Sequence, residues 1–92
     1  MTIIDSQILN NQANGNGGGM YIDGATTIKN TTIENNIALG VGGGVYESGS
    51  KDVRTLTIEE NSIITNNTAN NGGGFYLNQG ITYINSLSMM II

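Results

Sequence analysis

Residues 14–21 read NGNGGGMY. The core of that stretch returns as VGGGVY at residues 41–46 and as NGGGFY at residues 71–76. Each glycine triplet is followed by one apolar residue (Met20, Val45, Phe75) and then by a tyrosine (Tyr21, Tyr46, Tyr76). The triplets begin at Gly17, Gly42 and Gly72, so the spacings are 25 and 30 residues. Self-similarity on that scale is the signature of a stacked-repeat architecture.

Working upstream, each triplet is preceded by Ile-x-x-Asn-x-Ala: Ile8, Asn11 and Ala13, then Ile33, Asn36 and Ala38, then Ile64, Asn67 and Ala69. Before that comes a polar pair, Asp5-Ser6, Asn30-Thr31 and Asn61-Ser62. Before the pair lies a short alternating run at Thr2-Ile3, Thr27-Ile28-Lys29 and Leu56-Thr57-Ile58-Glu59. A fourth copy opens with Thr82-Tyr83-Ile84-Asn85. Fixed blocks with spacers of varying length describe stacked elements joined by loops.

The repeated element is a strand. Leu56-Thr57-Ile58 and Met20-Tyr21-Ile22 alternate with period two. A helix of ten or more residues has no room between the glycine and asparagine clusters. Two or three short strands in about 25 residues make one rung of a β-solenoid. The reading is all-β, a parallel β-helix of about three rungs at residues 5–29, 30–60 and 61–84, with residues 85–92 starting a fourth.

Glycine reaches positive φ without a Cβ clash, so each triplet is expected to form a tight corner and to let rungs approach closely. Met20, Val45 and Phe75 are then expected inside. Tyr21, Tyr46 and Tyr76 are expected outside, stacked at the inter-strand spacing of about 4.8 Å; the opposite facing would put them in the core. Asn11, Asn36 and Asn67 are expected to take αL geometry and to bond to one another along the axis. Asn14, Asn16, Asn70 and Asn71 hold no such register and read as ordinary spacer residues.

Composition narrows the chemistry. The 92 residues include 14 glycines but no cysteine, histidine, proline or tryptophan. That removes disulfides, thiolate metal sites and the commonest general base. Three basic residues against seven acidic give a net charge of -4, which disfavours a nucleic-acid partner. Residues 1–5 (MTIID) have no basic leader region, and residues 87–92 (LSMMII) are too short to span a bilayer. The chain is expected to be a soluble segment, or a fragment whose address signals lie elsewhere.

Other constellations fail on their own terms. Met20, Val45 and Phe75 stand where a calcium nonapeptide repeat needs glycine, and no Gly-Lys-Ser/Thr follows the glycines. Thr55-x-Thr57 is an isolated Thr-x-Thr, not an ice-binding array. Asn30-Thr31-Thr32 and Asn66-Asn67-Thr68 match the glycosylation acceptor pattern, with little weight in so Asn- and Thr-rich a chain. Asp23 and Glu47 follow the first two Gly-Gly-Gly-x-Tyr blocks and are candidates for a carboxylate pair. Their ordinary reading is as solvated corner residues, because Leu77 and Asn78 occupy that place in the third copy. Residues 47–54 (ESGSKDVR), with Lys51 and Arg54, form the longest insertion and read as a solvated loop or a binding loop. No catalytic, cofactor-binding or metal-ligating residue is assigned, and no cofactor is expected.

ILNNQANGNGGGM, IENNIALGVGGGV and the one-residue-shorter ITNNTANNGGGF resemble the repeat of chlamydial-type polymorphic outer membrane proteins over about residues 5–86. Gly19, Gly44 and Gly74 stand where that family's GGAI motif has alanine. The resemblance implies a right-handed parallel β-helix and a non-catalytic structural or adhesive module at the outer-membrane or extracellular surface. It implies a host or cell-surface glycan or protein as partner. The alternative is a remnant of a carbohydrate-active, pectate-lyase-like β-helix enzyme whose site lies outside this segment. Uncapped rung ends are further expected to self-associate.

Overall fold

The computed structural model describes residues 1–48, 55–59, 61–77, 81–85 and 90–91. The first copy of the repeat forms β1 (Thr2–Ile4), β2 (Gln7–Leu9), β3 (Gln12–Ala13) and β4 (Met20–Ile22). The second forms β5 (Thr26–Lys29), β6 (Thr32–Glu34), β7 (Ile37–Ala38) and β8 (Val45–Glu47). The third forms β9 (Thr55–Glu59), β10 (Ile63–Thr65) and β11 (Phe75–Leu77), and β12 (Ile81–Asn85) and β13 (Met90–Ile91) continue into a fourth.

Among the described residues no strand pairs with its neighbour in sequence. Each pairs in parallel with its counterpart one repeat away, giving sheets β1-β5-β9-β12, β13-β10-β6-β2, β11-β8-β4 and β3-β7. A bridge between Ile37 and Thr68 carries the β3-β7 column into the third copy. The chain is a parallel β-solenoid of about three rungs.

The register is set by which side chains are apolar. Ile3, Ile28, Ile58 and Ile84 are successive partners in one sheet, and Ile8, Ile33, Ile64 and Ile91 in the next. Met20, Val45 and Phe75 form a third column. Ile28, Ile33, Ile58, Ile64 and Val45 are wholly buried, with Ile3, Ile8 and Phe75 packed against them. Full burial of such a side chain contributes roughly 1.5–3 kcal/mol. A one-residue slip would turn every one of them outward, so the period of two fixes the stack.

The bends between sheets are also stacked. Asp5, Asn30 and Asn61 take positive φ at one bend; Asn10, Asn35 and Asn66 do so at the next. This corrects the expectation for Asn11, Asn36 and Asn67. In each case the αL residue is the asparagine just before, and the ladder asparagine follows it; Asn36 and Asn67 are buried, while Asn11 of the first copy is exposed. The polar pairs repeat the device, with Ser6, Thr31 and Ser62 following their αL residues. Thr31 and Ser62 are buried, and their hydroxyls donate to Lys29 O and Glu59 O at 2.8 Å.

The triplets divide their work. Only the first glycine of each has positive φ, 74°, 72° and 65° at Gly17, Gly42 and Gly72. The second is required for space instead: a Cβ on Gly43 would lie 2.6 Å from both Gly73 O and Thr68 O. Successive triplets bond backbone to backbone, with Gly43 N donating to Gly72 O at 3.0 Å and Gly44 N to Gly73 O at 2.9 Å. A Cβ on Gly44 would also meet Asn67 Nδ2 at 2.9 Å, so the triplets and the asparagine ladder are two sides of one packing contact.

Candidate functional site

The asparagine ladder consumes the most site-like residues. Asn36 is fully buried. Its Oδ1 accepts from Asn11 N at 2.9 Å and Asn11 Nδ2 at 3.1 Å. Its Nδ2 donates to Asn67 Oδ1 and to Ile8 O, both at 3.0 Å. Asn67 Nδ2 repeats the pattern with Ile33 O. Every polar atom of Asn36 is turned into the stack, which suits a structural role.

Two of the asparagines read as spacer residues also join rungs. Asn16 Oδ1 accepts from Val41 N at 3.0 Å, and Asn70 Nδ2 donates to Leu39 O at 2.9 Å. Their bonds are exposed, and their lack of a common register hid them from the repeat pattern. Of the two glycosylation-pattern asparagines, Asn30 donates from Nδ2 to Asp5 Oδ1 at 2.7 Å, while Asn66 sits exposed at an αL bend.

Asp23 and Glu47 are not register partners. The register opposes Glu47 to Ile22 on one side and Leu77 on the other, and Asp23 lies one residue beyond. Asp23 is exposed, as expected. Glu47 is 1 % exposed, which corrects its reading as a solvated corner residue. The cause is parity: residues 45 and 47 share one face of β8, and Val45 faces the core. Aligning Ile22, Glu47 and Leu77 directly would have found this from sequence. Ser48 follows with its N–H donating to Ile22 O at 2.8 Å. The rest of the 47–54 insertion lies outside the described residues.

Among the described residues no three carboxylates, histidines or cysteines gather as a metal site would require. Lys29 and Glu59 are register partners on β5 and β9. A shallow polar depression is lined by Asp5, Ser6, Gln7, Asn30 and Thr32, along one bend of the solenoid. Another, of about 250 Å³, lies beside Tyr21 and Asp23.

The ordered outward feature is the tyrosine column. Tyr21, Tyr46 and Tyr76 are successive register partners on β4, β8 and β11. Ring centroids are 4.9 Å apart between Tyr21 and Tyr46, at an interplanar angle of 43°, and 5.9 Å apart between Tyr46 and Tyr76, at 16°. Tyr21 and Tyr76 are exposed, and Tyr46 is covered by the two rings beside it. The expected facing, apolar residue in and tyrosine out, is what the strands adopt. The rings spend their faces on one another and present edges and hydroxyls to solvent.

A second outward column runs through Thr2, Thr27 and Thr57, in register on β1, β5 and β9. Its neighbour column, Ile4, Lys29 and Glu59, carries no threonine, so the face does not become a Thr-x-Thr array. No helix of the described residues is long and apolar enough to cross a membrane. Searches against family models, curated proteins and solved structures find no match for this chain.

Proposed function

We propose that the chain is a non-catalytic β-solenoid module, structural or adhesive, displayed at an extracellular or outer-membrane surface. The observation that carries this reading is where the polar residues go. Buried Asn36, Asn67, Thr31 and Ser62 hold rung to rung, and Glu47 occupies a core column. What is left facing outward in repeated order is the tyrosine column and the threonine column. Regular columns of that kind suit recognition of an extended surface, a cell-surface glycan or protein, better than catalysis on one bond. A glycosidase needs two carboxyl groups held across a bond, and the candidate pair here is split between solvent and core.

The repeat resemblance to chlamydial-type polymorphic outer membrane proteins supports the same reading and a right-handed winding. Self-association belongs to the proposal as well. β1, β2, β3 and β4 each have a single strand neighbour, and unpaired strand edges template further pairing.

The test is adhesion of the immobilised chain to cells and to immobilised glycans and proteins. Binding that falls on Tyr21→Ser/Tyr76→Ser substitution, with a cooperative melting transition retained, is the expected result. Release of unsaturated or reducing sugars from polyuronides would overturn the non-catalytic reading. Sedimentation showing only monomer at high concentration would overturn the association.

A further inference from the structure

We propose that the tyrosine column is an oxidative modification site, at which a one-electron oxidant joins Tyr46 to Tyr21 as dityrosine within a single chain. Phenols couple through the ring carbons ortho to oxygen, so the requirement is two rings held side by side. Parallel in-register pairing of β4 with β8 supplies it, with Tyr21 opposite Tyr46 and ring centroids 4.9 Å apart. The 43° tilt brings one pair of ring edges nearer than the centroids are. Tyr76 lies farther off, at 5.9 Å and closer to parallel. Tyr21 is 59 % exposed, so an oxidant too large to enter the stack reaches it from solvent.

The chemistry balances. Each phenol loses one electron and its O–H proton and becomes a neutral phenoxyl radical with spin on the ortho carbons. The two radicals combine, forming one carbon–carbon bond. The hydrogen on each joined carbon then moves to the oxygen, restoring both phenols. Two electrons and two protons leave in all. Hydrogen peroxide acting through a haem peroxidase takes up both of each and becomes two waters. Holding the two rings together makes coupling effectively unimolecular, and it outruns encounter between chains in dilute solution. The product ties the first rung to the second.

The sequence makes the site easy to read. Cleavage after Lys29, Lys51 and Arg54 places Tyr21 in peptide 1–29, Tyr46 in peptide 30–51, and Tyr76 with Tyr83 in peptide 55–92. Tyr83 is opposed in register to Thr57. The full chain is treated in dilute solution with peroxidase and peroxide, followed by denaturing electrophoresis, dityrosine fluorescence and peptide mass analysis.

The expected product is of monomer size and contains peptides 1–29 and 30–51 joined, lighter by two hydrogens than their sum. Its yield falls at least about tenfold when the chain is first unfolded in urea, because the fixed ring geometry is lost. Tyr46→Phe, which keeps the ring and removes the phenol, abolishes the link while retaining the melting curve; Tyr83→Phe leaves the link in place. Dityrosine found only in species of dimer size would overturn the proposal. So would a link joining Tyr46 to peptide 55–92 alone, or an undiminished yield from the urea-unfolded chain. The test does not depend on the adhesive reading, since neither a surface ligand nor an active site enters it.

Discussion

Asn36 shows how much one side chain carries in a stack only three rungs deep. Its amide accepts twice and donates twice, and all four bonds reach residues 25 to 31 positions away in sequence. Truncation to alanine orphans Asn11 N and Ile8 O and leaves Asn67 Oδ1 without one of its donors. We expect Asn36→Ala to cost roughly 2–3 kcal/mol, since a buried unsatisfied group costs about 1–3. Asn70→Ala removes one exposed bond to Leu39 O that water replaces, and should stay within about 0.5 kcal/mol. Denaturant midpoints decide it, and equal shifts would remove the ladder argument. Gly43 is the harsher case. A side chain there meets two backbone oxygens that cannot move without parting the rungs. Gly43→Val should lose the cooperative melting transition, a cost above about 3 kcal/mol. A variant with an unchanged circular dichroism spectrum and melting curve would contradict the packing.

At the scale of the element, β8 carries two features that its neighbours frame. Tyr46 has a ring on either side and Tyr21 has one. Aromatic pairs contribute about 0.5–1.5 kcal/mol each beyond buried area. Tyr46→Ala should therefore destabilise more than Tyr21→Ala, by at least one such pair; comparable losses in thermal unfolding would mean the rings do not support one another. Glu47 is the other feature, a buried acid in register between Ile22 and Leu77. The first and third copies carry Ile22 and Leu77 in that column, so an apolar side chain suits the register. We expect Glu47→Leu to retain a cooperative melting transition. A loss of more than about 3 kcal/mol would show that the carboxyl, not the column, holds that strand.

For the whole molecule, stability is a sum over rungs and the contacts between them. The middle rung is paired on both sides: β5 lies between β1 and β9, β6 between β2 and β10, and β8 between β4 and β11. Amides of β5, β6 and β8 should therefore exchange with solvent more slowly than those of β1, β2 and β4 in dilute solution. Raising the concentration should slow exchange in β1, β2 and β4 if edge pairing drives association. Uniform protection at every concentration would mean that the rungs open only together.

The repeat by itself determined that the chain stacks in parallel and which isoleucines meet, and it favoured tyrosine out and its apolar neighbour in. Those follow from period-two parity and a shared spacing, and both are written along the chain. The asparagine ladder was legible for the same reason, because Asn11, Asn36 and Asn67 keep a fixed distance from Ile and Ala. Tertiary structure alone decided that the αL residue is the asparagine before the ladder position, and that Gly42 is needed for its φ whereas Gly43 is needed for space. It also decided that Asn16 and Asn70 bridge rungs out of register. Each of these depends on what the next rung places within a few ångströms, at residues about 25 to 30 positions away. A bend or a spacer looks the same in sequence whether its neighbour is water or backbone, and only the stacking of one rung on another settles which it is.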